Sequence, residues 1–112
     1  MKNDPLYIQI MDFICDKLIT NTHVTTEISV KKWAENSGLN VHVCEKAFNE
    51  LVSRNVFCIN ESNYCLTPDA VFNAKLYRKE KLLSSDLKEL LEYAKKLEVT
   101  EEELIKTYKQ IV

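Results

Sequence analysis

Glycine is nearly missing from this chain: Gly38 is the only one in 112 residues. A glycine-rich loop for cradling phosphates cannot be written with one glycine, so nucleotide chemistry of that kind is excluded. No apolar run approaches the ~20 residues a membrane-spanning helix needs. The start, "MKNDPLYIQI", lacks the apolar centre of a signal peptide. An excess of positive charge is missing too. Fifteen Lys and Arg face seventeen Asp and Glu, a net charge of −2, with the signs interspersed and no basic tail. Autonomous nucleic-acid modules are as a rule strongly basic. The four cysteines, Cys15, Cys44, Cys58 and Cys65, form no C-x-x-C pair, and neither His23 nor His42 sits at zinc-finger spacing or beside a nucleophile. These absences point away from an enzyme, a metal and a cofactor. They also favour a cytoplasmic protein with reduced thiols.

What is present is a substantial apolar fraction, 46%. It is enough for one domain, or one small domain with an appendage, and a chain of this size often completes its core by dimerising. Leu6, Ile10, Phe13, Ile14 and Leu18 recur at helical spacing in "LYIQIMDFICDKLI". Pro5 suits a first helical turn, behind Asn3 and Asp4 as caps. "TNTHVTTE" follows, β-branched and polar, and reads as loop or a brief extended segment.

Ser29 can cap a helix through Trp33 and Ala34 to about Ser37, and Gly38 fits the left-handed position that ends it. Asn40 can cap a second helix, with Val43, Cys44, Ala47, Phe48 and Leu51 on its inner side. Two helices around a glycine-bearing turn of three or four residues form a helix-turn-helix. After Asn55 the period changes. "VFCINESNYCLTP" predicts a hairpin, Val56–Ile59 and Tyr64–Leu66, which makes the unit a winged helix.

From Asp69 the helical period returns, with Ser84 or Ser85 available to cap a fresh start. Leu83, Leu87, Leu90, Leu91, Ala94 and Leu97 form an apolar stripe too broad for one small winged helix to cover, which favours a dimer seam continued by Leu104 and Tyr108. Thr100 and Glu103 stand at capping-box spacing for a last helix. The expected class is mainly α with a small β-hairpin: a winged helix-turn-helix over residues 1–68, then a two-helix dimerisation tail over 69–112.

"PLYIQIMDFICDKL" followed by "SVKKWAENSGLNVHVCEKAFNEL" resembles the winged-helix domain of GntR-type bacterial transcription regulators. "LKELLEYAKKLEVTEEELIKTYKQ" is similar to the two-helix tail of their small YtrA-type branch. The resemblance implies a homodimeric repressor that binds an operator in double-stranded DNA and controls a small operon such as a transporter operon. It also puts Trp33 at a core position. Lys31 stands where the family pattern has a DNA-meeting arginine, Val41 and Val43 where it has Arg and Thr, and Glu45 and Lys46 where it has an arginine pair. The wing tip, Asn60-Glu61-Ser62-Asn63, has no glycine and carries an acid.

Between Ser29 and Leu66 the bases Lys31, Lys32, Lys46 and Arg54 are matched by Glu35, Glu45, Glu50 and Glu61. Phosphate neutralisation supplies much of the affinity of such domains, so a neutral reading head leaves two outcomes open. Lys31, Lys32 and Lys46 hold the DNA backbone while Asn40 and His42 lie nearest the bases, if Glu35 and Glu50 point away. Alternatively, the winged-helix dimer has lost DNA binding and serves as a protein-interaction module. Asn49 reads as a plain surface residue, and Cys15 and Cys44 as small core residues. A two-residue turn at Glu61-Ser62 would set Cys58 opposite Cys65 and make the wing redox-sensitive. Against that stand the wider Cα separation of a hydrogen-bonded strand pair and the cytoplasmic setting.

Overall fold

The computed structural model describes residues 4–20 and 27–112. Element order is α1 (Leu6–Ile19), β1 (Glu27–Ile28), α2 (Val30–Ser37), α3 (Val41–Ser53), β2 (Phe57–Asn60), β3 (Asn63–Leu66), α4 (Ala70–Lys81), a π-helical turn (Leu82–Asp86), α5 (Leu87–Lys96) and α6 (Glu101–Ile111). The strands form one antiparallel sheet in the order β1-β3-β2. The chain divides into two compact units, Met1–Lys79 and Glu80–Val112.

The first unit is a winged helix. Its core is Ile10, Met11, Ile14, Cys15 and Leu18 of α1, Ala34 of α2, Cys44, Ala47, Phe48 and Leu51 of α3, and Ile28, Val56, Phe57 and Tyr64 from the sheet side. Phe48 is the hub. Its ring centroid lies 5.6 Å from Trp33 edge-on, 5.3 Å from Phe57 and 5.1 Å from Tyr64. Offset and edge-to-face contacts of this kind add to plain apolar burial. Cys15 and Cys44 are fully buried, as small apolar residues. The helical spacing of α1 overstates its buried face, because Leu6 and Phe13 are exposed.

Ala70, Ala74 and Tyr77 of α4 also belong to this core. The Tyr77 hydroxyl donates to Asp12 Oδ1 at 2.8 Å, and Arg78 Nε donates to Asp16 Oδ1 at 2.9 Å. Arg78 Nη1 lies 3.0 Å from Asp12 Oδ1, close enough for charge attraction but poorly aligned as a hydrogen bond. Burial works against the Arg78 charge, but the Asp12 and Asp16 carboxylates outweigh it and raise its pKa. Burial, with the Asp12 carboxylate beside it, also raises the Tyr77 hydroxyl.

Among the described residues, three helices end on a left-handed residue. Gly38 has φ 67°, and Leu39 N–H donates back to Ala34 O at 3.0 Å. Asn55 has φ 61°, and Val56 N–H donates to Leu51 O at 2.9 Å. Glu98 has φ 59°, and Val99 N–H donates to Ala94 O at 3.0 Å. Each return bond satisfies a carbonyl that the helix end would otherwise orphan. The second explains why the wing begins one residue later than the pattern predicts: the Val56 N–H is already committed to α3, so the strand starts at Phe57.

Several local expectations change. Pro5 is itself the N-cap of α1, with φ −55° and ψ 152°, and makes no side-chain capping bond. Asn3, proposed as a cap, lies outside the described residues, as do His23 and the rest of residues 21–26. The brief extended segment materialises at Glu27–Ile28, where Glu27 pairs with Cys65 and Ile28 with Tyr64. Ser84 and Ser85 start no new helix. Their hydroxyls donate to the carbonyls of Glu80 at 2.7 Å and Lys81 at 3.0 Å. The backbone at Lys81, Asp86 and Leu87 stays right-handed helical, with the π-turn in place of a cap. Serine bonded back to the preceding turn competes with the helical ladder rather than closing it off.

In the second unit, Thr100 caps α6. Its hydroxyl accepts from Glu103 N–H at 3.2 Å, and Glu103 Oε1 accepts from Thr100 N–H at 3.1 Å, a complete capping box. No residue of α5 or α6 is buried.

Candidate nucleic-acid interface

The candidate site is α3 with the residues that start and brace it. Ser29 opens α2 by accepting from Lys32 N–H at 3.5 Å, and Gly38 closes it. A Cβ at Gly38 would meet nothing within 4 Å, so the backbone conformation alone favours glycine there. Asn40 then caps α3. Its Oδ1 accepts from His42 N–H at 2.8 Å and Val43 N–H at 3.3 Å. The cap commits the Asn40 oxygen to its own helix and leaves the side-chain amide N–H groups for anything outside.

With Cys44, Ala47, Phe48 and Leu51 turned inward, the 3.6-residue repeat sets His42, Lys46, Asn49 and Ser53 on the outward side. Glu45 and Glu50 fall on its margins. Glu50, which the sequence allows to point away from that face, thus borders it on one side, and Glu45 borders it on the other. His42 is open to solvent, with its side chain 83% exposed and its Nδ1 3.9 Å from Glu45 Oε1. Lys46 Nζ lies 4.1 Å from the centroid of the Tyr7 ring, a cation–π contact that ties the outward face of α3 to α1. Lys31 and Lys32 are exposed in the first turn of α2. Arg54 sits 4.6 Å over the Tyr77 ring, which ties it to α4.

Asn49 is not a plain surface residue. Its Oδ1 accepts a 2.5 Å hydrogen bond from the Tyr64 hydroxyl and so joins α3 to the wing. Burial, with Glu45 nearby, raises the Tyr64 pKa and keeps it a donor. No spacing rule brings positions 49 and 64 together, because the link depends on how the hairpin folds back over α3. Trp33 is half-buried against Phe48. Its other side lines an open apolar cavity of about 240 Å³ with Gln9, Ile10, Phe13, Ser37 and Leu39.

In the tail, Leu83, Leu87, Leu90, Leu91, Leu97, Leu104 and Tyr108 are all exposed, and Ala94 is half-buried. Among the described residues no cluster of His, Cys, Asp or Glu could hold a metal ion. No described helix is long and apolar enough to cross a membrane.

Fold and exposed helix together define a class, the winged helix with a helical tail. No family model and no curated protein matches the chain. Solved structures do. A GntR family transcriptional regulator from Listeria monocytogenes is similar over 98% of this chain and 97% of its own, with TM-score 0.70 at 18% identity. A transcriptional regulator from Oenococcus oeni matches 99% of this chain and 93% of its own, with TM-score 0.71 at 22% identity. YtrA from Sulfolobus acidocaldarius, a GntR-family transcription factor, matches 97% of this chain and 89% of its own, with TM-score 0.55 at 17% identity. The chain thus has the fold of the solved GntR-family regulators, tail included.

Proposed function

We propose that this protein is a DNA-binding transcription regulator of the GntR type, acting as a homodimeric repressor of a small operon such as a transporter operon. The observation that carries the reading is the capped, outward-facing start of α3 in a fold shared along nearly its whole length with GntR-family regulators. In this reading α3 of each protomer enters the major groove of one half-site. Lys31, Lys32 and Lys46 hold phosphates, while the Asn40 amide and His42 lie nearest the base edges. Such contacts divide between positioning and reading. The head is assigned residues 1–68 and the dimer residues 69–112, where α4 packs into the winged-helix core and the leucine stripe from Leu83 onward forms the seam.

The experiment is fluorescence anisotropy on DNA from upstream of the protein's own operon, repeated over a salt series. A specific complex should form, and log K should fall linearly with log salt. Lys31→Ala and Lys32→Ala should each weaken binding across all sequences and reduce the salt slope by about 1. No specific complex at low salt would end this reading.

A second reading has its own observation behind it. Glu45 and Glu50 border the α3 face, and Arg54 stands over Tyr77. This near-neutral face favours a winged-helix dimer that has lost DNA binding and meets a protein, with a more basic relative as one candidate. DNA affinity that appears only on mixing with such a relative would select it.

A further inference from the structure

The two cysteines of the wing serve no purpose in the proposed function. β2 and β3 are joined through Glu61 and Ser62, and the register pairs Asn60 with Asn63, Ile59 with Tyr64, and Cys58 with Cys65. Cys58 and Cys65 are therefore direct cross-strand neighbours on one face of the sheet. Counting back from the two-residue turn makes them a hydrogen-bonded pair, for which the Cα separation is about 5.5 Å. That spacing falls inside the range of about 4.4–6.8 Å that disulfides occupy and close to its mode. The Cα separation therefore permits a bond, while the side chains start farther apart than in a non-hydrogen-bonded pair, so the closed disulfide is strained and readily reduced. Cys58 leans across the gap, with its Sγ donating to the Cys65 carbonyl oxygen at 3.5 Å. Cys58 is exposed and Cys65 half-buried, and both are free thiols. The other two cysteines are fully buried in the core.

We propose that Cys58 and Cys65 are a modification site: an intrachain disulfide, closed by a peroxide-class oxidant and opened by a dithiol, that locks the wing hairpin. The proposal is independent of DNA binding. The exposed Cys58 gives up its proton and, as thiolate, attacks one peroxide oxygen; the O–O bond breaks, a sulfenic acid forms, and the hydroxide that leaves takes up the proton Cys58 lost and departs as water. The Cys65 sulfur then attacks the Cys58 sulfur, the S–S bond forms, and the hydroxide that leaves takes the Cys65 proton as a second water. Two thiols and one hydrogen peroxide give one disulfide and two waters. A dithiol reverses the bond by exchange through a mixed disulfide. Burial, with Glu27 and Cys58 beside it, raises the Cys65 pKa, in keeping with Cys58 acting first.

Trypsin cuts after Arg54 and after Lys75, so both cysteines fall in one peptide, residues 55–75, which holds no other. The full reduced protein is exposed to hydrogen peroxide, denatured, alkylated with iodoacetamide, digested and weighed. The expected peptide is unalkylated and two hydrogens lighter, and dithiothreitol restores it, while Cys15 and Cys44 are recovered alkylated. Partition of the Cys58 sulfenic acid to the disulfide, against capture by added dimedone, should be about tenfold greater in the folded protein than in urea, because the fold holds the two sulfurs together. Cys58→Ser and Cys65→Ser should each abolish the closed peptide. A peptide alkylated at both positions, carrying added oxygen on sulfur, or joined to a second chain would overturn the proposal, as would equal partition in urea and in buffer.

Discussion

Glu61 holds φ at 57° at the tip of the wing, where a side chain costs about 1–2 kcal/mol that glycine does not incur. Part of that advantage is lost to the greater freedom of glycine in the unfolded chain, about 0.5–1 kcal/mol. Glu61→Gly should therefore stabilise the protein by roughly 0.5–1 kcal/mol, read as a higher urea midpoint with unchanged slope. A second residue-scale expectation concerns Cys15. Its pKa is pushed up from 9.0 to about 12, first by burial and then by Asp12. Its folded pKa exceeds its unfolded one, so its contribution is complete below pH 9 and is lost as pH rises toward 12. Native helicity should fall across that window, and Cys15→Ala should move the alkaline midpoint upward even where it lowers stability at pH 7. An unmoved midpoint would show that the thiol does not drive the transition.

At the scale of elements, what the sequence exposed was what local chemistry decides. Ser29, Gly38, Asn40 and the Thr100–Glu103 box each satisfy backbone groups within a few residues, so their roles were readable from spacing. The serine pair at 84–85 misled because the same hydroxyls cap a helix start or bond back within a helix, and spacing cannot choose between the two. The Asn49–Tyr64 bond and the Lys46–Tyr7 contact depend on tertiary approach and leave no periodic trace. The candidate site was thus legible as a helix face but not in its bracing. The capping box carries its own pH signature. Glu103 titrates below its ordinary 4.5 because it accepts first from the Thr100 backbone and then from the Thr100 hydroxyl. With the folded pKa depressed, the stabilisation is present above pH 4.5 and disappears as pH falls through the lowered value. Protection factors of the amides in the first turn of α6, taken relative to the intrinsic exchange rate at each pH, should fall on acidification, and Thr100→Ala should remove most of that pH dependence.

On the scale of the whole molecule, the second unit, Glu80–Val112, poses the sharpest energetic problem. Its helices α5 and α6 bury no residue. Ordering a residue costs about 1–2 kcal/mol in backbone entropy alone, and helices this short are marginal in water without a packed face. Leu83, Leu90, Leu97 and Tyr108 each leave more than half of their surface exposed. Burying a leucine fully is worth about 1.5–3 kcal/mol, so in the proposed dimer a second copy laid along this stripe would supply stabilisation that these helices lack alone. Leu90→Asp places a charge in that seam. It should convert a dimer to a monomer in light scattering and lower the helical signal by an amount that wild-type protein shows only on dilution. The melting temperature of the wild type should rise with protein concentration, as linkage to assembly requires, and that of the variant should not. A wild-type chain that is monomeric, with a melting temperature independent of concentration, would leave the stripe without a partner of its own kind and would remove the two-fold arrangement on which a paired half-site depends.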